Sequence, residues 1–518
     1  MAASMVSGEV LKQKIKYFVI ISRLAVILLQ IVFNAILPDH DAGAFNPGQQ
    51  KHSTISDHIV SFLLGGFKRW DGIYYTHIAE HGYTYENTLA FFPLFPVVVR
   101  VTANTIMFPL QLLMSYGSVL LIAATVLNAL LFLKTAENLY RLGKIVTCND
   151  TVAYTATLLF CINPASVFMS APYSECIYSY LTVTGLLKLE DGKKLSASVF
   201  FAFSCLTRSN GLLNLGYLVY TLSKKALQTL RQLSKAVMMN INVILTIPWI
   251  YFITTLVPYS VLMIISVLPF VMYQYYCFQL YCKKEYVLVI PEHLIQYART
   301  EGLKLPSDES SPWCYSSFPL AYRYIQSHYW EQGLFRYWEI KQIPNFLLAT
   351  PVTVLVFSLA VHYYRNNRYT CVTLGLDETG AAKKEMQRGP YFQLEGMRLL
   401  PYVIHAVMLT VFGWCFIHVQ VLTRLLFSST PVLYWYSAYL LLGDLPRQQQ
   451  QFNKYDISKQ SLPQVETMEN LSKPWKNLVT NCITNFKQKH FVAKFIIVYF
   501  ITYFVVGVAL FSNFLPWT

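Results

Sequence analysis

The chain has 518 residues, of which 54% are hydrophobic, 15% aromatic and only 13% charged, where a soluble protein carries about a quarter charged residues. So little charge cannot cover a water-facing surface of this size, which excludes a soluble globular enzyme and leaves an integral membrane protein. The net charge of +14, from 41 Lys+Arg against 27 Asp+Glu, falls in short clusters between apolar runs, as in cytoplasmic membrane loops and unlike a nucleic-acid-binding face.

Lys12, Lys14 and Lys16 precede an apolar run over residues 17–37. That run matches the ~20 residues that cross a bilayer. It is too long for a signal-peptide core and lacks a small-residue cleavage site, so it reads as a retained first helix with a cytoplasmic N-terminus. A polar stretch, 39–66, leads into "FKRWDGIYY" (67–75) and "FFPLFP" (91–96). Further apolar runs occupy 108–133, 152–170, 176–188, 195–222, 237–282, 346–363, 397–417, 421–442 and 491–511. Together they predict an all-α polytopic protein of roughly ten transmembrane helices. The polar segments 283–343 and 443–490 are too small to be independent domains, so 1–518 reads as one membrane domain.

Positive residues set the orientation. The first loop, about 39–107, emerges opposite the N-terminus, in the ER lumen of a eukaryote. Lys134, Arg141 and Lys144 return to the cytoplasm, "NPASVFMSAPYSE" (163–175) is a lumenal turn and "LEDGKK" (189–194) is cytoplasmic. "TRSNG" (207–211) is expected at a lumenal hairpin tip, which makes Lys224, Lys225, Arg231 and Lys235 cytoplasmic and requires 237–282 to cross once, with part of it re-entrant or interfacial. The basic loop 364–395 is cytoplasmic, 283–345 and "HVQVLTR" (418–424) are lumenal, and 443–490 is cytoplasmic. The sequons at Asn149 and Asn470 both fall on the cytoplasmic side and are expected to stay unglycosylated.

Ionisable groups at membrane depth are costly and tend to be functional. Arg69 and Asp71 beside Trp70 could be no more than an interfacial ion pair with an aromatic anchor, and Glu175 a helix-start residue. Their recurrence on one side favours a site: Asp71, Glu175, Arg208, His418 and Arg424 all map to lumenal ends of different spans. The lumenal stretch 322–346 interleaves Tyr, Trp and His with Arg323, Arg336 and Lys341. It suits either sugar stacking with phosphate pairing or an interfacial helix. No CxxC or Cys/His spacing suggests zinc, and there is no Gly-rich phosphate loop, HExxH, GxSxG or DxD motif. Cys161, Cys205 and Cys277 lie in apolar runs and read as reduced and buried; Cys314 could form a disulfide in a lumenal segment, with no partner identifiable.

Several long motifs occur together in order: "FKRWDGIYYTHIAEHGY" with "FFPLFP", "NPASVFMSAPYSE", "TRSNG", "YIQSHYW", "KQIPNFLLA", "HVQVLTR", "PVLYW" and the terminal "NFLPWT". In this the chain resembles the GPI mannosyltransferase 2 (PIG-V-like) family from about residue 13 to its end. The resemblance implies a GT-C type glycosyltransferase of the ER membrane with lumenal loops forming its site. It would transfer the second, α1,6-linked mannose from dolichyl-phosphate-mannose to the mannosylated GPI precursor, with inversion and without a metal or other cofactor. It further implies that Asp71 is the catalytic carboxylate, and that Arg69, Trp70, Glu175, Arg208, Gln326, His328, Gln342, Asn345, His418, Gln420 and Arg424 line the site. Arg208 or Arg424 would face the donor phosphate. Whether an accessory membrane subunit takes part is left open. The alternatives are another dolichyl-phosphate-mannose-dependent transferase or a polytopic transporter, although no duplicated halves or paired broken helices are evident.

Overall fold

The computed structural model describes residues 2–48, 54–237, 252–284, 288–376, 396–443 and 478–517, and all their regular structure is helical. Among the described residues, six helical segments are long and apolar enough to cross a bilayer: Glu9–Ile36, Tyr116–Thr147, Ile253–Lys283, Ile340–Asn366, Met397–Phe416 and Phe491–Ser512. The pair Val419–Ser429 and Pro431–Leu442, bent by 85°, makes a seventh if counted as one span.

This is fewer than the ten expected, for a reason of length. The run at 152–170 yields α6 (Asp150–Cys161), that at 176–188 yields α7 (Glu175–Glu190), and 195–222 splits into α8 (Lys194–Cys205) and α9 (Leu215–Val237). At 1.5 Å per residue, α6 and α8, with 12 residues each, reach about 18 Å, short of the ~30 Å of hydrocarbon. α6 is apolar because it is interior, whereas α8 keeps Leu195, Val199 and Phe203 exposed. Every residue of α6 from Val152 to Cys161 is buried, as are most of α7, the pattern of a helix surrounded by protein on all sides.

The long helices surround these short ones. α1 (Ala2–Ile36) packs on the last helix (Phe491–Ser512) and on α6, while α5 (Tyr116–Thr147) packs against both α6 and α7. Between α1 and α5 lie α2 (Ile55–Leu64), α3 (Asp71–His81) and α4 (Leu94–Asn104). α10 (Val257–Phe278) packs on α8 and turns Val261, Ile264, Leu268, Val271 and Met272 outward, as a lipid-facing helix does. The stretch Ile253–Lys283 is long and apolar enough for one crossing; residues 238–251, the rest of the run expected to cross once, lie outside the described segments, as do most of the loops 364–395 and 443–490, and with them Asn470.

The segment 283–345 carries α11 (Glu292–Glu301) and α12 (Ala321–His328), followed by α13 (Ile343–Asn366) and α14 (Leu400–Phe416). The run at 421–442 is two helices, α15 (Leu422–Ser429) and α16 (Pro431–Leu442). Pro431 offers no backbone donor, and Thr430 before it is extended (φ −121°, ψ 90°), the conformation a following proline imposes. The break lets α15 lie against α7 rather than continue the line of α16.

Candidate active site

Asp71 is the first residue of α3 and Glu175 the first of α7, so both carboxylates occupy helix N-termini, where the backbone dipoles favour negative charge. The two helix starts meet closely. A Cβ on Gly72 would stand 3.1 Å from Pro172 Cγ and 3.3 Å from the Tyr173 ring, so a side chain there would push these neighbours back by a few tenths of an ångström. The Asp71 N–H donates to the Tyr173 hydroxyl at 3.0 Å, and the Tyr75 and Ser174 hydroxyls lie 2.6 Å apart. Trp70, just before α3, has φ +50° and ψ −126°. Such a conformation in a non-glycine residue costs on the order of 1–3 kcal/mol and collects at functional sites.

The arginines arrive from the other side. Arg208 sits in the break between α8 and α9, where Gly211 folds the chain back so tightly that a Cβ there would lie 2.5 Å from the Ser204 backbone. Arg208 Nη1 pairs with Glu175 Oε1 and donates to Ser174 Oγ at 3.3 Å. Arg424, on α15, brings Nη1 to 2.7 Å from Asp71 Oδ2 and 3.4 Å from Glu175 Oε1. Four charges from four separate elements thus form one chain: Asp71, Arg424, Glu175, Arg208. The Glu175 side chain is fully buried, whereas that of Asp71 is 24% exposed and is the member open to solvent. Glu175 Oε2, Arg208 Nε, Arg424 Nε and Trp70 Nε1 are buried without a hydrogen-bond partner. Polar atoms left so at a site are places for a ligand to satisfy.

A second group stands one helical turn before Arg424. The His418 ring stacks on Tyr337 with centroids 4.5 Å apart, and its Nε2 lies 2.8 Å from the Trp330 carbonyl. The Tyr337 hydroxyl donates to Gln420 Oε1 at 3.1 Å and accepts from Asn345 Nδ2 at 2.8 Å, while Asn345 also donates to Gln342 Oε1 at 2.7 Å. Burial pushes the His418 imidazole below its ordinary range, so the ring is neutral near pH 7 and its Nε2–H donates to the carbonyl. Trp330 ties this group to α3, its ring 6.1 Å from Tyr74 and 5.9 Å from Phe91.

Of the residues the sequence singled out, Asp71, Glu175, Arg208 and Arg424 therefore form the centre, and Gln342, Asn345, His418 and Gln420 the neighbouring polar wall. Arg69 does not pair with Asp71. Its guanidinium reaches Asp39 at 3.1 Å, Asn34 at 2.8 Å and the Ser512 carbonyl at 3.0 Å, with Phe514 beneath it, so it ties the first loop to the C-terminal segment. The Trp70 ring meets the same Phe514 edge-on. Gln326 and His328 lie on α12 away from the four charges: His328 is exposed and stacks on Tyr324, and the Gln326 carbonyl accepts the Gln332 N–H.

Two residues that sequence reasoning passed over hold the site together. Arg23, buried in α1, donates to the Cys161 and Ser166 carbonyls at 2.9 and 3.0 Å and to Ser170 Oγ at 3.0 Å, and it lies over the Phe132 ring. Asn128 on α5 donates to the Ala171 and Tyr173 carbonyls at 2.6 and 3.2 Å. Between them they fix the chain from 161 to 173, which delivers Tyr173, Ser174 and Glu175. The signal for Arg23 was present, a charge inside the first apolar run; Asn128 gave none. Glu86 was also missed. Its buried carboxylate accepts from Ser311 Oγ, Trp313 Nε1 and the Tyr329 hydroxyl at 2.5, 2.9 and 2.9 Å, which seats the aromatic loop on the first one. Beside it Cys314 is bonded to Cys282, while Cys161, Cys205 and Cys277 are free and buried, as expected. Among the described residues no group of three or more His, Cys, Asp or Glu side chains could hold a metal ion.

The family model described as mannosyltransferase (PIG-V) matches residues 11–518. The chain is 38% identical over 507 residues to a GPI alpha-1,6-mannosyltransferase 2 of Mus musculus, covering 98% of this chain and 99% of that one. It is 36% identical over 515 residues to the Homo sapiens protein of the same name, with the same coverage. Against a GPI mannosyltransferase 2 of Drosophila melanogaster the identity is 33% over 434 residues, 82% of this chain and 90% of the relative.

Proposed function

Because this chain belongs to the PIG-V mannosyltransferase family, we propose that the four-charge centre transfers the second mannose of the GPI anchor precursor, in α1,6 linkage, from dolichyl-phosphate-mannose. The protein is a multi-pass membrane glycosyltransferase of GPI-anchor assembly. The donor, the ER location, the lumenal site and a GT-C type fold belong to this proposal.

The observation that carries it is the meeting of Asp71, Glu175, Arg208 and Arg424 at one place from four elements far apart in sequence. The donor is a β-mannosyl phosphate and the product an α-mannoside, so a single displacement with inversion is required. The C1–O bond to phosphate breaks, the bond from C1 to the acceptor's O6 forms, and the hydroxyl proton passes to a base. Asp71 is the acid group exposed to an incoming hydroxyl, and general-base assistance contributes about 10²–10⁴ in rate. Arg208 and Arg424 keep unpartnered Nε donors. Guanidinium donors suit the oxygens of a departing phosphate, so the reading calls for no metal. The aromatic wall around Trp330, Tyr337 and His418 offers stacking faces for acceptor sugars.

The Cys282–Cys314 disulfide supports an oxidising compartment for the segment 283–345. The Asn149 side chain caps α6 by accepting the Val152 N–H, in keeping with an unglycosylated asparagine. The test is rescue of cells that lack the enzyme: Asp71→Asn should reduce mannosyl transfer at least about 10²-fold, with an intermediate bearing one mannose accumulating. Full transfer by that variant removes the catalytic assignment; accumulation of a two-mannose intermediate in the null cells removes the acceptor assignment.

A further inference from the structure

The site without substrate is closed on itself. Two carboxylates face two guanidinium groups, so the cluster is neutral, and Arg424 is the member that touches both acids. Its two contacts differ in setting. Glu175 is fully buried, and the same Oε1 also receives Arg208, whereas Asp71 stands at the mouth of the site with its side chain 24% exposed. Arg424 is thus held at an inner point and an outer one, and its Nε still lacks a partner.

A lipid-linked mannosyl phosphate is a phosphodiester with one negative charge. Set beside a neutral cluster in a partly desolvated site, that charge is costly unless a guanidinium turns to meet it. Arg208 is committed inward, to Glu175 and Ser174. Arg424 can keep Glu175 and exchange Asp71 for a phosphate oxygen. The exchange leaves Asp71 uncompensated, with both oxygens open, and such a carboxylate gains by accepting a hydroxyl proton.

We propose that Arg424 couples the two substrates. The donor phosphate draws Arg424 from Asp71 with Glu175 as the pivot, and the carboxylate released in this way receives the acceptor hydroxyl. Donor binds first and acceptor second. The inference rests on the mannosyl-transfer reading above and adds to it an order and a residue responsible for that order.

The coupling is read as a ratio of affinities. Full-length protein in lipid nanodiscs is titrated with a synthetic GPI precursor bearing one mannose, with and without saturating polyprenyl phosphate, a monoester that presents the donor's lipid phosphate without its sugar. The acceptor should bind about tenfold tighter when the phosphate is present, and by linkage the phosphate should gain the same factor from the acceptor. In Asp71→Asn, which has no carboxylate for Arg424 to leave, the factor should fall to about one. Each ratio is taken within one protein, so a purely structural role would leave it unchanged, and the wild-type measurement stands even if the variant does not fold. A wild-type factor of one, or the same factor in Asp71→Asn, overturns the coupling while mannosyl transfer still supports the function. A wild-type protein that transfers no mannose from dolichyl-phosphate-mannose to that precursor overturns both.

Discussion

Two acids, each opening a helix, do different work because their surroundings differ. Glu175 has no exposed surface and answers two arginines through one oxygen. Replacing one partner of a buried ionic cluster costs roughly 3–5 kcal/mol because the remaining charge is stranded. Glu175→Gln should therefore lower the thermal midpoint of the detergent-solubilised protein sharply, whereas Asp71→Asn, at the open end, should shift it far less while removing activity. Thermal unfolding of both variants beside a transfer assay separates the roles. His77 makes a second residue-scale case. Burial on α3, reinforced by His81, Lys68 and His293, holds its imidazole down to about 3, and its Nε2 lies 2.6 Å from Thr84 Oγ1. The folded value lies below the ordinary one, so the unfolded chain binds the proton more readily. The stabilisation is complete above pH 6.5 and is lost as pH falls towards 3. Between pH 7 and 5 the loss from this group is about 2 kcal/mol. His77→Gln should flatten that part of a plot of thermal midpoint against pH.

At the scale of elements, what matters is where helices stop. The break between α8 and α9 presents Arg208, and Gly211 permits it by lying against the Ser204 backbone. Gly211→Ala introduces a clash that a flexible side chain cannot relieve, and overpacking of this kind costs typically 1–3 kcal/mol, taken here as about 2. It should lower transfer by more than the loss of folded protein explains, since Arg208 moves with the break. Gly216→Ala, whose added Cβ meets nothing within 4 Å, is the matched control and should leave transfer unchanged. A similar logic explains α15, which crosses α7 with Arg424 because Thr430 and Pro431 end it. The sequence marked the first break, by "TRSNG", but 421–442 reads in it as one run, and nothing local showed that Arg208 and Arg424 would face each other.

For the whole molecule, the prediction concerns sides. Asp71, Glu175, Arg208 and Arg424 are in mutual contact, so the proposed site faces one side of the membrane only, and the Cys282–Cys314 disulfide bears on which side that is. Glu309 is exposed in the same loop, and Glu309→Asn creates an Asn-Ser-Ser acceptor. The expected outcome is an N-linked glycan on that variant, seen as an endoglycosidase-sensitive mass shift, with none at Asn149. A Glu309→Asn protein left unmodified at the new acceptor but glycosylated at Asn149 would reverse the orientation.

Composition established a membrane protein, and the continuous apolar runs of about 20 residues established helices, because such a run satisfies its own backbone inside lipid only as a helix, whereas a barrel strand would alternate. The ordered motifs carried the family, and the acid and base residues at the centre were legible because charge is rare in such a chain: Asp71, Glu175, Arg208 and Arg424 stood out against their apolar setting. What only the tertiary structure decided is which apolar runs cross and which are interior, since hydropathy reports dryness without distinguishing lipid from protein; α6 and α7 are dry by burial. It decided also the pairings. Arg69 turned to Asp39, while Arg424, more than three hundred residues beyond Asp71, became its partner, because ion pairs form between groups near in space and sequence distance places no bound on that.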